Sequence, residues 1–164
     1  MLNVKPYKQT PAYCGPASLK MVLDYYGIKK TEKYLARISG CKRNKGVEPE
    51  GLLIAAQRLG LKGFVKDYAT FKEVENYVNV KKIPVIVDWF SYFIPPADGH
   101  FSVVVKVTKT KIYLQDPEIG ELRIVDRRAF HRVWFDFPGS FLETRKELRI
   151  RPIVVIFPPK TFNN

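Results

Sequence analysis

The sequence predicts an α+β fold in which a helical half precedes an antiparallel sheet. Apolar residues recur at helical spacing up to about residue 80, whereas β-rich runs and tight turns fill the remainder. Helices that precede the strands, instead of alternating with them, are typical of the α+β class. We therefore expect one domain over residues 1–164, with a helical part at about 1–80 and a sheet part at about 81–164.

Apolar stripes and end signals place four helices in the first half. Gly27 ends the first stripe, and Pro49 suits the start of the third helix. Thr70 and Glu73 form a capping box ahead of the fourth helix, since each side chain can accept from the other's backbone N–H. The predicted helices span residues 16–26, 31–40, 49–60 and 70–78.

The second half contains runs of β-branched and aromatic residues that predict strands. A near-continuous valine run at 101–107 is typical of a central strand, and a polar turn at 108–110 predicts that the next run pairs back on it. Asp126 can cap a short helix at 127–134. The predicted strands span residues 83–89, 101–107, 111–115, 121–125 and 151–157.

The chain is strongly basic, with 28 Lys and Arg against 16 Asp and Glu and a net charge of +12. The basic residues concentrate at 29–45 and 145–151. Such a surface can attract an acidic partner, but a solvated lysine-rich face is the more common case. No zinc-finger spacing or RNP-like aromatic run accompanies the charge, so nucleic acid is not the predicted partner. No apolar run is long enough to span a membrane, and we expect a cytoplasmic protein.

Cys14 is the candidate nucleophile. It lies directly ahead of the first predicted helix, where free N–H groups and the positive end of the helix dipole favour a thiolate. Gly15 would leave room for a substrate backbone. Taken alone, a cysteine at a helix start is more often a small buried residue. A disulfide with Cys41 is a second alternative, although the cytoplasm keeps thiols reduced.

His100 and Asp116 are the candidate base and its orienting carboxylate. His100 opens the valine strand beneath a Pro/Gly-rich loop, and Asp116 ends the strand predicted to pair with it. The hairpin brings these two strand ends together, so the carboxylate can hold one imidazole nitrogen. Asp98 is a rival orienter with poorer geometry, and a turn aspartate is the structural alternative for Asp116.

Gln9 completes the candidate site. Its side-chain amide, five residues ahead of Cys14, can donate to a developing oxyanion together with the backbone N–H of Cys14. Trp89, Tyr92 and Phe93 can line the cleft or pack in the core. We assign no chemistry to Cys41 or His131, and predict no metal and no cofactor.

These residues resemble the bacteriocin-processing, double-glycine-leader cysteine peptidase family and its standalone papain-like relatives, over about residues 5–135. The resemblance implies a papain-like fold, a Cys14–His100–Asp116 triad and Gln9 in the oxyanion hole. It departs at Tyr13, where an acidic residue is common, and beyond residue 137. The matching segments are Gln9, Cys14-Gly15-Pro16-Ala17-Ser18, residues 21–27, Gly99-His100-Phe101, residues 113–117, Gly120, Phe130 and Trp134.

The function predicted from these residues is that of a peptidase that cleaves a peptide or protein substrate through an acyl-thioester on Cys14. An amine acceptor in place of water would make the same site an acyl- or peptidyl-transferase. A non-catalytic peptide- or nucleic-acid-binding module is the alternative from a different class. The presence of Cys14, His100 and Asp116 together argues against that module.

Overall fold

The computed structural model describes residues 1–162 and packs helices against a six-stranded antiparallel sheet. The α+β prediction is confirmed. The helices are α1 (Cys14–Tyr25), α2 (Glu32–Ser39), α3 (Pro49–Arg58), α4 (Phe71–Glu75), which continues into a π-helical turn (Asn76–Val80), α5 (Arg127–Val133) and a final 3-10 turn (Pro159–Phe162). The strands are β1 (Lys62–Lys66), β2 (Val85–Ser91), β3 (Asp98–Val107), β4 (Lys111–Asp116), β5 (Glu121–Asp126), β6 (Phe135–Asp136), β7 (Arg149–Ile150) and β8 (Ile153–Phe157).

The predicted helix-end signals are present in the structure. Thr31 accepts from the backbone N–H of Tyr34 and caps α2, and Gly40 ends that helix in the left-handed conformation at φ +75°. Thr70 and Glu73 form the reciprocal capping box of α4. These contacts lie within three or four residues of each other, which is why local sequence was enough to locate them.

Helix α1 begins two residues earlier than predicted. The carbonyl of Tyr13 accepts from the N–H of Ala17 at 2.9 Å, which brings Cys14 into the first turn. Pro16 does not prevent this, because the first N–H groups of a helix have no partner inside it. Cys14 is therefore the first residue of α1 and not the residue ahead of it.

The sheet has the strand order β1-β8-β2-β3-β4-β5, with every neighbouring pair antiparallel. Strand β3 begins at Asp98, three residues ahead of its predicted start, so His100 lies inside the strand opposite Trp89. The predicted hairpin of β3 with β4 is confirmed. In this register the start of β3 and the end of β4 lie side by side at the same end of the strands.

Three short strands were missed in the sequence analysis. Strand β1 lies within the predicted helical half and pairs with β8, while β6 and β7 form a separate two-stranded ribbon. Their residues are mostly half-exposed, so they lack the apolar pattern that marks the central strands. The segment beyond residue 137 is part of the fold, since β8 lies between β1 and β2.

One hydrophobic core joins the helices to the sheet, and α1 lies at its centre. Its residues from Gly15 to Leu19 are all buried. A Cβ atom on Gly15 would lie 2.4 Å from Val47 Cγ1 and 3.3 Å from Phe101 Cδ2. The expectation that Gly15 leaves room for substrate is therefore wrong, because protein side chains fill that space.

We predict that Gly15→Ala destabilises the protein. Alanine favours a helix over glycine by about 1 kcal/mol, but forcing a methyl group into a filled core costs about 1–3 kcal/mol. A contact of 2.4 Å needs a shift of Val47, so we expect the strain to prevail. Urea denaturation should show a lower free energy of unfolding.

The variant Gly15→Ala/Val47→Ala is the matched control. Removing the valine methyl groups makes room for the added Cβ, so the two substitutions should be less costly together than the sum of their separate effects. Strict additivity of the two losses would contradict the close approach.

Candidate active site

Cys14 is presented by the N-terminus of α1. The helix has no side-chain cap and no acidic residue in its first turn. Its free N–H groups can therefore interact with the residues at the start of the helix. Cys14 is half-buried and Cys41 is also a free thiol, so the disulfide alternative is not formed. A thiol at this position lies in the positive field of the helix end.

His100 and Asp116 are joined by a buried hydrogen bond. The distance from His100 Nε2 to Asp116 Oδ1 is 2.6 Å, and the two residues are only 6% and 1% exposed. Since Nε2 faces the carboxylate, Nδ1 is the ring nitrogen left for Cys14. The structure thus brings these two residues together across the β3–β4 hairpin.

The environment of His100 favours its charged form. Burial disfavours the imidazolium, but hydrogen bonds to Asp116 and Cys14, together with their charges, raise the pKa of His100 to about 10. Burial alone would raise the pKa of the Asp116 carboxyl. Hydrogen bonds from His100, Arg123 and the Glu118 backbone outweigh this effect and lower that pKa. The arrangement therefore stores a proton on the imidazole next to Cys14.

Arg123 supports Asp116 from the neighbouring strand and was not identified in the sequence analysis. Its Nε donates to Asp116 Oδ2 at 2.5 Å, its Nη2 donates to Glu118 Oε2 at 3.2 Å, and its guanidinium stacks on the ring of Phe93. Strand β5 sets this contact, since Arg123 lies diagonally from Asp116 in the β4–β5 register. An alternation rule applied to that hairpin could have found it.

His100, Asp116 and Glu118 each place a ligand atom within 4.8 Å of the others, which is a spacing that a metal ion can use. The guanidinium of Arg123 already bridges the two carboxylates. It supplies the positive charge that a metal would otherwise bring.

Gln9 lies beside the site without a bond to it. Its backbone N–H donates to the carbonyl of Pro117 at 2.9 Å, which ties the N-terminal segment to the turn after Asp116. Its side-chain Nε2 makes one long contact of 3.4 Å to the carbonyl of Thr10, and its buried Oε1 accepts no hydrogen bond from residues 1–162. The amide is thus held weakly.

The aromatic residues near the loop pack inward or against Arg123. Trp89 is fully buried and donates from Nε1 to Ser102 Oγ at 3.1 Å, so it is a core residue. Tyr92 stacks on Phe93, and neither lines the cavity next to Cys14. Of the two alternatives, core packing holds for Trp89, whereas Tyr92 and Phe93 are exposed and do not line this cavity.

The other predicted residues lie apart from the imidazole. Asp98 accepts from the N–H of Gly99 and makes no contact with His100. His131 is exposed on α5 against Phe71. Burial, with smaller effects of Cys14 and Glu32, raises the pKa of Cys41 to about 11, so its thiol stays protonated.

A cavity of about 280 Å³ opens in front of Cys14. Its basic lip is the loop between α2 and α3, with Arg43 and Lys45, where the basic stretch of the sequence ends. Glu48, Asp98 and Asp136 line the cavity as well. The lining residues are Ala12, Cys14, residues 43–48, Asp98, Gly99, Phe101 and residues 136–140.

A sequence profile of the Peptidase C39 family matches residues 5–138. The chain belongs to this family. The resemblance drawn from the residues is thereby confirmed, and family membership supports a cysteine peptidase.

Relatives and solved structures agree with this C39 assignment. An uncharacterized protein of Methanothermobacter thermautotrophicus is 30% identical over 130 residues, which are 79% of each chain. The peptidase domain of Streptococcus ComA, a bi-functional ABC transporter involved in quorum sensing, gives a TM-score of 0.71 at 19% identity, over 95% of this chain and 99% of that one. A double glycine motif protease from an AMS/PCAT transporter, in complex with the leader peptide, gives a TM-score of 0.65 at 22% identity, over 94% of this chain and 90% of that one. These structures show the papain-like α+β fold.

No helix within residues 1–162 of this C39 family member has both the length and the apolar character needed to cross a membrane.

We predict that the imidazole of His100 stays protonated at pH 8. ¹⁵N NMR of its ring nitrogens should show the imidazolium at that pH, because the hydrogen bonds that His100 makes to Asp116 and Cys14 hold its pKa near 10. Asp116→Asn removes the negative charge from one of these partners and should shift the titration to lower pH. A neutral ring at pH 8 in the wild-type protein would contradict the assignment.

We predict that Arg123→Met costs about 3 kcal/mol in the free energy of unfolding, since it leaves the buried Asp116 carboxylate short of a partner. Arg149→Met is the matched control. Arg149 pairs with Glu50 and Asp67, which are 52% and 35% exposed, so its loss should cost about 1 kcal/mol. If denaturant titrations showed the same loss of unfolding free energy in both variants, burial of the Arg123–Asp116 pair would contribute nothing to stability.

Proposed function

We propose that this protein is a cysteine peptidase in which Cys14 attacks a peptide carbonyl and His100 carries the proton. The observation that carries the proposal is the buried 2.6 Å bond from His100 Nε2 to Asp116, with Cys14 as the second partner of the same ring. A cysteine at a helix N-terminus, a base and an orienting carboxylate are the parts that thiol catalysis requires.

The first half-reaction forms the acyl-enzyme. In the resting site the proton already lies on His100, and the thiolate of Cys14 adds to the substrate carbonyl carbon. The carbonyl oxygen gains the negative charge of the tetrahedral intermediate. The imidazolium then gives its proton to the leaving amine, and the thioester of Cys14 remains. Asp116 keeps the ring oriented throughout and stabilises its charged form.

The second half-reaction releases the product. A water molecule gives a proton to His100 and adds to the thioester carbonyl, and Cys14 leaves as the thiolate. Both half-reactions pass through an oxyanion. We assign Gln9 Nε2 and the backbone N–H of Cys14 as its donors. The weak hold on the Gln9 amide supports this, because turning toward a substrate would cost only one long contact.

We infer a peptide or protein substrate, because a related double glycine motif protease is known in complex with a leader peptide. We place the reaction in the cytoplasm, where thiols stay reduced, since both cysteines are free. We propose that residues 1–164 act as one peptidase domain, since helices and sheet share one core.

A stepwise set of variants tests the mechanism. The background variant Cys41→Ser leaves one thiol, and a mixed peptide library with mass-spectrometric readout reports both cleavage and any acyl transfer to added amines. We expect Cys14→Ala and His100→Ala to abolish turnover, and Gln9→Ala to lower kcat by about 10²–10³ because an oxyanion donor is lost.

The rate of Cys14 alkylation provides a reading independent of the substrate. Iodoacetamide should react with Cys14 faster than with free cysteine at neutral pH, and His100→Ala should remove this excess reactivity. Alkylation at the free-thiol rate in both proteins, with no cleavage in the library, would refute the proposal.

A further inference from the structure

A second buried group lies behind the wall of the Cys14 cavity, against the lining residue Asp136. Asp88 stands opposite Phe101 in the β2–β3 register, so the two side chains share one face of the sheet, and Phe101 lines the cavity. Asp88 is only 2% exposed. Its Oδ1 accepts no hydrogen bond from residues 1–162, which is unusual for a buried carboxylate.

Asp136 faces Asp88 from strand β6 and lines the cavity itself. Its Oδ1 is also buried without a donor. The Asp136 carboxyl closes tightly on Gly99, where a Cβ atom would lie 2.3 Å from Oδ1. Two acceptors therefore meet beside the nucleophile, and the described residues supply no hydrogen-bond donor to either Oδ1.

The two carboxyls cannot both be charged without a partner. Burial, together with the charge of Asp136, raises the pKa of Asp88 well above its ordinary value, and burial raises that of Asp136. One shared proton satisfies the pair in the free protein. A cation with N–H donors could replace that proton and meet both acceptors.

The surroundings of the pair are acidic as well. Glu48 and Asp98 line the same cavity and act electrostatically on Asp136, although Glu48 shares its loop with Arg43 and Lys45. A cleft lined by these carboxylates is notable in a chain of net charge +12. The polarity of the cleft thus gives a bound substrate a direction, with its positive group toward β2 and β6.

We propose that the Asp88–Asp136 pair is a specificity subsite that binds a primary ammonium group of the substrate next to the scissile bond. The proposal rests on the function assigned to Cys14 and adds the chemical class of the substrate. The ammonium has two sources, a lysine side chain or a free N-terminus. A cavity of about 280 Å³ holds either one.

Small thiol reagents test the subsite without a known substrate. In the Cys41→Ser background, aminoethyl methanethiosulfonate carries an ammonium and hydroxyethyl methanethiosulfonate is its neutral counterpart. Each forms a disulfide with the Cys14 thiolate and releases methanesulfinate. The quantity compared is the ratio of the ammonium rate to the hydroxyl rate, divided by the same ratio for free cysteine.

We expect this ratio to fall about tenfold in Asp88→Asn and in Asp136→Asn, since each removes one charge from a poorly solvated site. The asparagine amide can still donate to the remaining carboxylate, so the contact between β2 and β6 is kept. Thermal unfolding of both variants checks this, and either one suffices if the other fails to fold. Glu121→Gln removes one exposed charge on β5 and is the charge-matched control, expected to keep the wild-type ratio.

An unchanged ratio in both aspartate variants, or an equal fall in Glu121→Gln, would overturn the subsite. Failure of the proposed function reads out differently, because the neutral hydroxyethyl reagent would then react with Cys14 at the free-cysteine rate in the wild-type and His100→Ala proteins alike. The subsite ratio remains measurable in that case.

Peptidyl chloromethyl ketones of equal length distinguish the two sources of the ammonium. One peptide carries lysine and an acetylated N-terminus, one carries norleucine and a free N-terminus, and one carries norleucine and an acetylated N-terminus. Faster inactivation by the first assigns a lysine subsite, and by the second an N-terminal one. Either preference should be lost in Asp88→Asn. Equal rates for all three peptides would overturn the proposal.

Discussion

The buried carboxylate of Asp116 is the constraint around which the site is built. A negative charge that is 1% exposed is tolerable only when several donors surround it, and here they come from three directions. His100 donates from β3, Arg123 from β5, and the Glu118 backbone from the following turn. The same turn also receives the N-terminal segment through Gln9. The orientation of the imidazole, and the position of the residues around Cys14, follow from satisfying this one group.

Charge is distributed unevenly over the molecule, and the outer surface differs in charge from the cleft. Exposed lysines and arginines cover α2 and the loop after it, while Glu32, the one acidic residue in that stretch, is buried and accepts from the backbone N–H of Thr10. The carboxylates Glu48, Asp98 and Asp136 line the cleft instead. The net charge therefore reflects the outer surface of this protein and does not predict the local charge of the cleft beside Cys14.

Structural features that depend on residues close together in sequence were predicted correctly, whereas features that depend on distant residues were not. The caps at Thr31 and Thr70 and the β3–β4 hairpin depend on residues a few positions apart, and all were predicted. Strand β1 and the β6–β7 ribbon were not, because short, half-exposed strands owe their structure to a distant partner. Gly15 shows the same limit, since the Val47 side chain that fills its space lies 32 positions along the chain.

The sequence by itself determined the class of fold, the family and the β3–β4 hairpin, and it proposed His100, Asp116 and Cys14 as the residues of the site. Each of these is encoded in local spacing and in the order of elements along the chain. Arg123 reaches Asp116 within the β4–β5 hairpin, but tertiary structure alone decided that Trp89 belongs to the core and that Asp88 meets Asp136 at the cleft. Those contacts join elements that approach only when the whole sheet and its helices pack together, so no local pattern could announce them.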